Sequence, residues 1–188
     1  MANSGQLLQR NKDFAATCAH EEAGIIARHR VYVTTCLDPR TDPSAFVEPE
    51  PGDAMVVRTA GGRVSAGVLK DLAYIGYLGG TLVPGGPRFE AAVVHHTQCG
   101  IRFLAGDTFR RGFAELIDGG DAALAAEAVT DPEQTVRFDV ELLRSATVLP
   151  DTITVSGHVY DVTTGLVRTI VPAAPVHPRT PALEPNEK

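Results

Sequence analysis

The chain has 188 residues, room for one domain with a buried core and too few for two of ordinary size. Its 17 basic and 23 acidic residues give a net charge of −6, so the basic footprint of a nucleic-acid or anionic-membrane binder is missing. An apolar share of 44% and a charged share of 21% describe a folded globular protein, and no apolar run approaches the roughly 18 residues that cross a bilayer.

The opening MANSGQLLQRNKDF lacks the basic-then-apolar layout of a secretion signal, so a cytoplasmic protein is expected. Residues 3–28 place apolar side chains at loosely helical intervals and predict one or two N-terminal helices forming an arm over about 1–28. Val31–Thr35 is short and β-branched and stops at Cys36-Leu37-Asp38-Pro39, which predicts a strand ending in a tight loop. After a proline-rich connection, Ala54–Arg58 predicts a second strand. Val64, Val68, Leu72, Ile75 and Leu78 recur at helical spacing and predict a helix ending at Gly79-Gly80.

Phe89–Val94 reads as a third strand and 107–117 as a helix. Asp131-Pro132-Glu133 is the start of a further, well-signalled helix. Thr152–Asp161 and Leu166–Val171 flank Thr163-Thr164-Gly165 as a strand and a hairpin return. Strands alternating with helices predict an α/β fold: a mostly parallel sheet covered by helices on both faces, with a C-terminal edge strand or hairpin. One domain over 1–172 is expected, followed by a proline-rich tail over 173–188.

Three cysteines, Cys18, Cys36 and Cys99, make a poor disulfide framework. Cys36 follows strand one, and His96 and Cys99 follow strand three, where ligands bind in parallel sheets. Two thiolates and an imidazole suit zinc, and three protein ligands leave a fourth position open, as catalytic zinc sites do. Water in such a position loses its proton near neutral pH and becomes a hydroxide nucleophile. Asp38 and Arg40 can pair through two parallel hydrogen bonds, fixing a carboxylate beside the metal; released, the carboxylate can fill the fourth position instead. Gly61 and Gly62 offer backbone N–H groups to an anionic substrate or form a simple tight turn. His95 should face away from His96, and Cys18 with His20 lacks further ligands. Arg110-Arg111 reads as a solvated helix face.

CLDPR followed by HTQC resembles the signature of the β-class carbonic anhydrases, Cys-x-Asp-x-Arg and then His-x-x-Cys. Gly52–Gly62 resembles their second-strand segment, and the likeness covers about residues 25 to 172. The resemblance implies one Zn²⁺ on Cys36, His96 and Cys99, an Asp38–Arg40 dyad, and reversible hydration of carbon dioxide to bicarbonate. It also implies an intertwined homodimer, often paired into a dimer of dimers. Gln98 stands where short members commonly have Asp, Thr59 replaces an Asn, and Pro39 stiffens the Asp38–Arg40 loop. Two alternatives keep the metal: a hydrolase that releases hydrogen sulfide from carbonyl sulfide or carbon disulfide, and a non-catalytic zinc-binding module.

Overall fold

The computed structural model describes residues 4–47, 49–86, 88–117 and 120–177. Five strands form one sheet: β1 (Val31–Cys36), β2 (Ala54–Thr59), β3 (Glu90–His96), β4 (Thr154–Tyr160) and β5 (Val167–Pro175), in the order β2-β1-β3-β4-β5. The first four run parallel, and β5 returns antiparallel along β4. Because β1 and β3 are neighbours in register, with Thr35 opposite Val94, their carboxyl ends lie side by side. That adjacency brings residues 63 positions apart in sequence to one crevice.

The described residues contain the helices α1 (Gly5–Ala16), α2 (Pro43–Phe46), α3 (Ala66–Leu82), α4 (Asp107–Ile117), α5 (Asp121–Glu127) and α6 (Pro132–Arg144). The Asp131 carboxylate accepts from the N–H groups of Glu133 and Gln134, and Pro132 occupies the first turn, so α6 starts where its sequence signals it. In contrast, α3 does not stop at Gly79-Gly80. Glycine inside a helix costs about 1 kcal/mol but leaves the hydrogen-bond ladder intact, so the helix continues to Leu82, just short of Pro84. The N-terminal segment forms α1 and a 3-10 turn at Ala19–Glu22. The proline-rich connection contains the one-turn α2, and α5 is a helix that apolar periodicity did not reveal.

The helices α3 and α6 share one sheet face, and the helical cover expected on the other is reduced to the short α2 among the described residues. Val68 and Leu72 of α3 join Val136, Val140 and Leu143 of α6 in one core with Tyr32, Ala91, Val93, Val155 and Val159. Strand alternation puts all five of these strand residues on the same sheet face. The strand β4 carries the reason, because its apolar Val155 and Val159 alternate with polar Ser156 and His158. On the second face the short α2 reaches the sheet, where Phe46 stacks on Tyr160 with ring centroids 4.5 Å apart. At the C-terminus β5 continues to Pro175 and Val176 is fully buried, so packing extends past the expected boundary at 172. The rest of the expected tail, 178–188, lies outside the described residues.

A glycine turn at 60–62 joins β2 to α3 and presses against β1. Gly62 has φ +70°, and a Cβ there would lie 3.1 Å from both the Cys36 nitrogen and the Val94 oxygen. Backbone on both sides leaves no room to yield. Gly62→Ala is therefore expected to cost on the order of 3 kcal/mol, from left-handed strain plus overpacking. In a thermal melt that is a fall of roughly 10 °C.

Candidate metal centre

Cys36 is the last residue of β1, His96 the last of β3, and Cys99 follows three residues later. His96 belongs to the strand itself and does not lie just past it. Alternation therefore sends His95 and His96 to opposite faces as expected. All three candidate ligands are buried, and one donor atom from each lies within 4.8 Å of the others. The Cys36 and Cys99 sulfurs are 3.9 Å apart. Two sulfurs each about 2.3 Å from a tetrahedral zinc lie about 3.8 Å apart, so the spacing fits the ion.

The imidazole supplies a second fit. His96 Nδ1 lies 2.9 Å from the Thr97 carbonyl oxygen. A carbonyl only accepts, so Nδ1 carries the proton and Nε2 presents a lone pair. That Nε2 is buried with no hydrogen-bond partner among the described residues. A ring nitrogen within 4.8 Å of two buried sulfurs is a donor set for a soft, borderline cation, and an orphaned buried acceptor otherwise costs about 1–3 kcal/mol. The Cys99 S–H bond to Cys36 pulls the Cys36 thiol below its ordinary value, with the Asp38 N–H adding to it and burial opposing it. The same bond and burial push Cys99 up. The thiolate is the form of cysteine that binds metal.

The loop after β1 holds Asp38 against Arg40. Arg40 Nε donates to Asp38 Oδ1 at 3.0 Å and Nη2 to Oδ2 at 2.7 Å, the two-pronged pairing expected from their spacing. Arg40 N also donates to Oδ1 at 2.9 Å. The guanidinium hydrogen bond is the main force that lowers the Asp38 carboxyl to about 2 against the cost of burial. Pro39 opens the 3-10 turn in which this happens, so the proline fits the loop. Arg40 Nη2 also reaches the Gln98 carbonyl at 3.2 Å and ties the first ligand loop to the second.

Gln98 has φ +57°, and its side chain donates to Thr163 of the β4–β5 turn at 3.2 Å. Gly61 and Gly62 both have positive φ, and the space beside each α-carbon is filled by protein: Ile101 and Val129 at Gly61, β1 and β3 backbone at Gly62. Cys18 is exposed on the C-terminal side of α1. Arg110 is not simply solvated, because it pairs with Asp107 and Asp121 and bonds the Leu104 carbonyl, whereas Arg111 is largely exposed.

Arg58 went unassigned in the sequence. Its guanidinium donates to the carbonyls of Cys36 and Asp38 and to the Asp42 carboxylate, so one side chain clamps the loop that carries the first ligand and the dyad. A charged residue at the end of an otherwise apolar strand was the available signal.

No protein-family model matches the sequence. Beta-carbonic anhydrase 1 of Mycobacterium tuberculosis is 27% identical over 142 residues, covering 76% of this chain and 82% of that protein. A carbon disulfide hydrolase of Acidithiobacillus thiooxidans is 24% identical over 166 residues, covering 78% and 80%. Among solved structures, a carbonic anhydrase from Streptococcus mutans superposes with a TM-score of 0.75 at 28% identity, covering 90% of this chain and 98% of that one. By sequence and by fold together, the chain is similar to β-class carbonic anhydrases, whose signature CLDPR and HTQC resemble.

Proposed function

We propose that the protein catalyses the reversible hydration of carbon dioxide to bicarbonate and a proton, with one zinc ion held by Cys36, His96 and Cys99. The observation that carries this reading is the buried sulfur–nitrogen–sulfur set beside a carboxylate locked by Arg40. The carbonic anhydrase relatives in sequence and fold support the substrate. Zinc, when bound, supplies Lewis acidity that makes water a strong enough acid to furnish a nucleophile near neutral pH.

Asp38 sets the direction of attack. With its carboxyl lowered to about 2, it holds almost no proton at pH 7 and is too weak a base to keep one. What it does is accept a hydrogen bond from the attacking water, turning an oxygen lone pair toward the carbon of the substrate. Arg40 keeps the carboxylate in that orientation. The proton produced leaves to solvent buffer, since Asp38 does not retain it.

A second reading keeps the site and changes the linear substrate to carbon disulfide or carbonyl sulfide, with release of hydrogen sulfide. The carbon disulfide hydrolase relatives favour it. Stopped-flow hydration of carbon dioxide by zinc-loaded protein, run beside sulfide release, separates the two. Hydration with kcat/KM above about 10⁵ M⁻¹s⁻¹ and slower sulfide release are expected. Sulfide release exceeding hydration transfers the assignment to the hydrolase, and neither activity in zinc-loaded protein leaves the binding module.

A homodimer, with pairing of dimers, is part of the same proposal. Neither α1 nor α4 buries a side chain within one chain, and Leu7 and Leu8 of α1 and Phe109 and Leu116 of α4 stand exposed. Apolar helix faces left open in this way are suited to a second copy. The cytoplasm, where thiols stay reduced and available to metal, suits the ligand set.

A further inference from the structure

On the face of β3 opposite to His96 lies a buried polar cluster that the proposed reaction does not use. Asp139 of α6 is 1% exposed and His95 is fully buried. Arg63 donates to both carboxylate oxygens of Asp139, Nε to Oδ2 at 2.9 Å and Nη2 to Oδ1 at 3.0 Å. The Val64 N–H and His95 Nε2 each reach Oδ2 at 3.1 Å. His95 Nδ1 lies 2.8 Å from the Thr135 hydroxyl. Four donors thus converge on one carboxylate, and hydrogen bonds from His95 and Arg63 outweigh the burial that would otherwise raise its pKa.

A buried ion pair contributes little net stability over apolar packing of the same volume. What such a pair does fix is position, and both arms of this one lead to ligand-bearing chain. One arm is His95, whose backbone runs directly into His96. The other is Arg63-Val64, which anchors the glycine turn. Gly62 of that turn abuts the Cys36 nitrogen, and Gly61 abuts Ile101 and Val129, which pack with Cys36 and Cys99.

Given the reading of Cys36, His96 and Cys99 as the metal site, we propose that Asp139 is a positioning residue for it, holding the β1 and β3 ligand segments in register through Arg63 and His95. Loss of one acceptor oxygen leaves buried donors unpaired, and either arm then shifts its ligand. Outer partners of metal ligands typically contribute 10- to 100-fold to metal affinity.

The test is zinc release into a chelator from Asp139→Asn, compared with Val140→Ala. Val140 is also buried on α6 but packs against Gly157. Metal-free melting temperature is recorded for both, and the cobalt-loaded absorption band reports ligand geometry. Asp139→Asn is expected to release zinc about tenfold faster than the parent with an altered cobalt band. Val140→Ala, though destabilised, should stay within about twofold of the parent with its band unchanged. Equal release rates in the two variants at similar melting temperatures overturn the positioning role while leaving the metal site intact. A parent protein that takes up no zinc overturns the metal reading itself, and the positioning role falls with it.

Should Asp139→Asn fail to fold, His95→Leu carries the test. It is expected to speed release about threefold, with His95→Gln, which restores a donor, returning toward the parent rate. Parent-like release from His95→Leu overturns the proposal.

Discussion

Cys99→Ala is expected to emerge from purification without stoichiometric zinc and to lose carbon dioxide hydration by more than about a thousandfold, about 4 kcal/mol in the transition state. Removing one of three donors leaves Cys36 and His96 alone in a buried crevice, a set too small for tetrahedral zinc. The exposed Cys18 supplies the control, because Cys18→Ala changes the thiol count without touching the site and should keep full metal and full rate. Metal analysis and stopped-flow assays on both variants decide the matter. Retention of one zinc and near-parent activity in Cys99→Ala contradicts the ligand assignment.

The dyad gives the next largest effect. Asp38→Asn keeps the side chain's size but removes its charge and replaces one acceptor oxygen with a donor. The hydrogen bond that directs the water is lost, and kcat/KM should fall about 100-fold with zinc retained. Arg40→Ala acts differently, because it leaves the carboxylate intact but unheld. Two side-chain hydrogen bonds, at 3.0 and 2.7 Å, then vanish together with the tie to the Gln98 carbonyl. Asp38 is freed to turn onto the metal side of the loop, where it competes with water and substrate.

That competition makes the pair non-additive in a defined direction. Arg40→Ala should lose at least as much activity as Asp38→Asn, and the double variant should recover part of the loss by removing the competing carboxylate. Full kinetic parameters for the three proteins supply the comparison. Strict additivity of the two losses would mean that Arg40 does not restrain Asp38.

Much of the site was legible because its motifs are local. CLDPR and HTQC each sit at the end of a β-branched or apolar run, and parallel pairing of β1 with β3 makes those ends adjacent. Asp38 and Arg40 pair within a three-residue span, so loop chemistry alone predicted their contact. The α6 start was equally readable, since Asp131-Pro132 caps it locally.

The features that local sequence does not mark depend on long-range packing. That α3 and α6 share one sheet face follows from the side of the sheet to which α3 returns, which helical periodicity does not encode. Arg58 bonds residues 16 to 22 positions away, and Arg63 meets Asp139 across 76 positions. Nothing adjacent to either arginine marks its partner. The short α2 and α5 have too few turns to display a periodic apolar stripe.

X-ray absorption at the zinc edge of the purified, reduced protein probes the centre most directly. Two sulfurs at about 2.3 Å, one imidazole nitrogen at about 2.0 Å and one light, exchangeable fourth neighbour are predicted. A first shell of four sulfurs, or folded protein that binds no zinc at all, would contradict the three-ligand site at Cys36, His96 and Cys99.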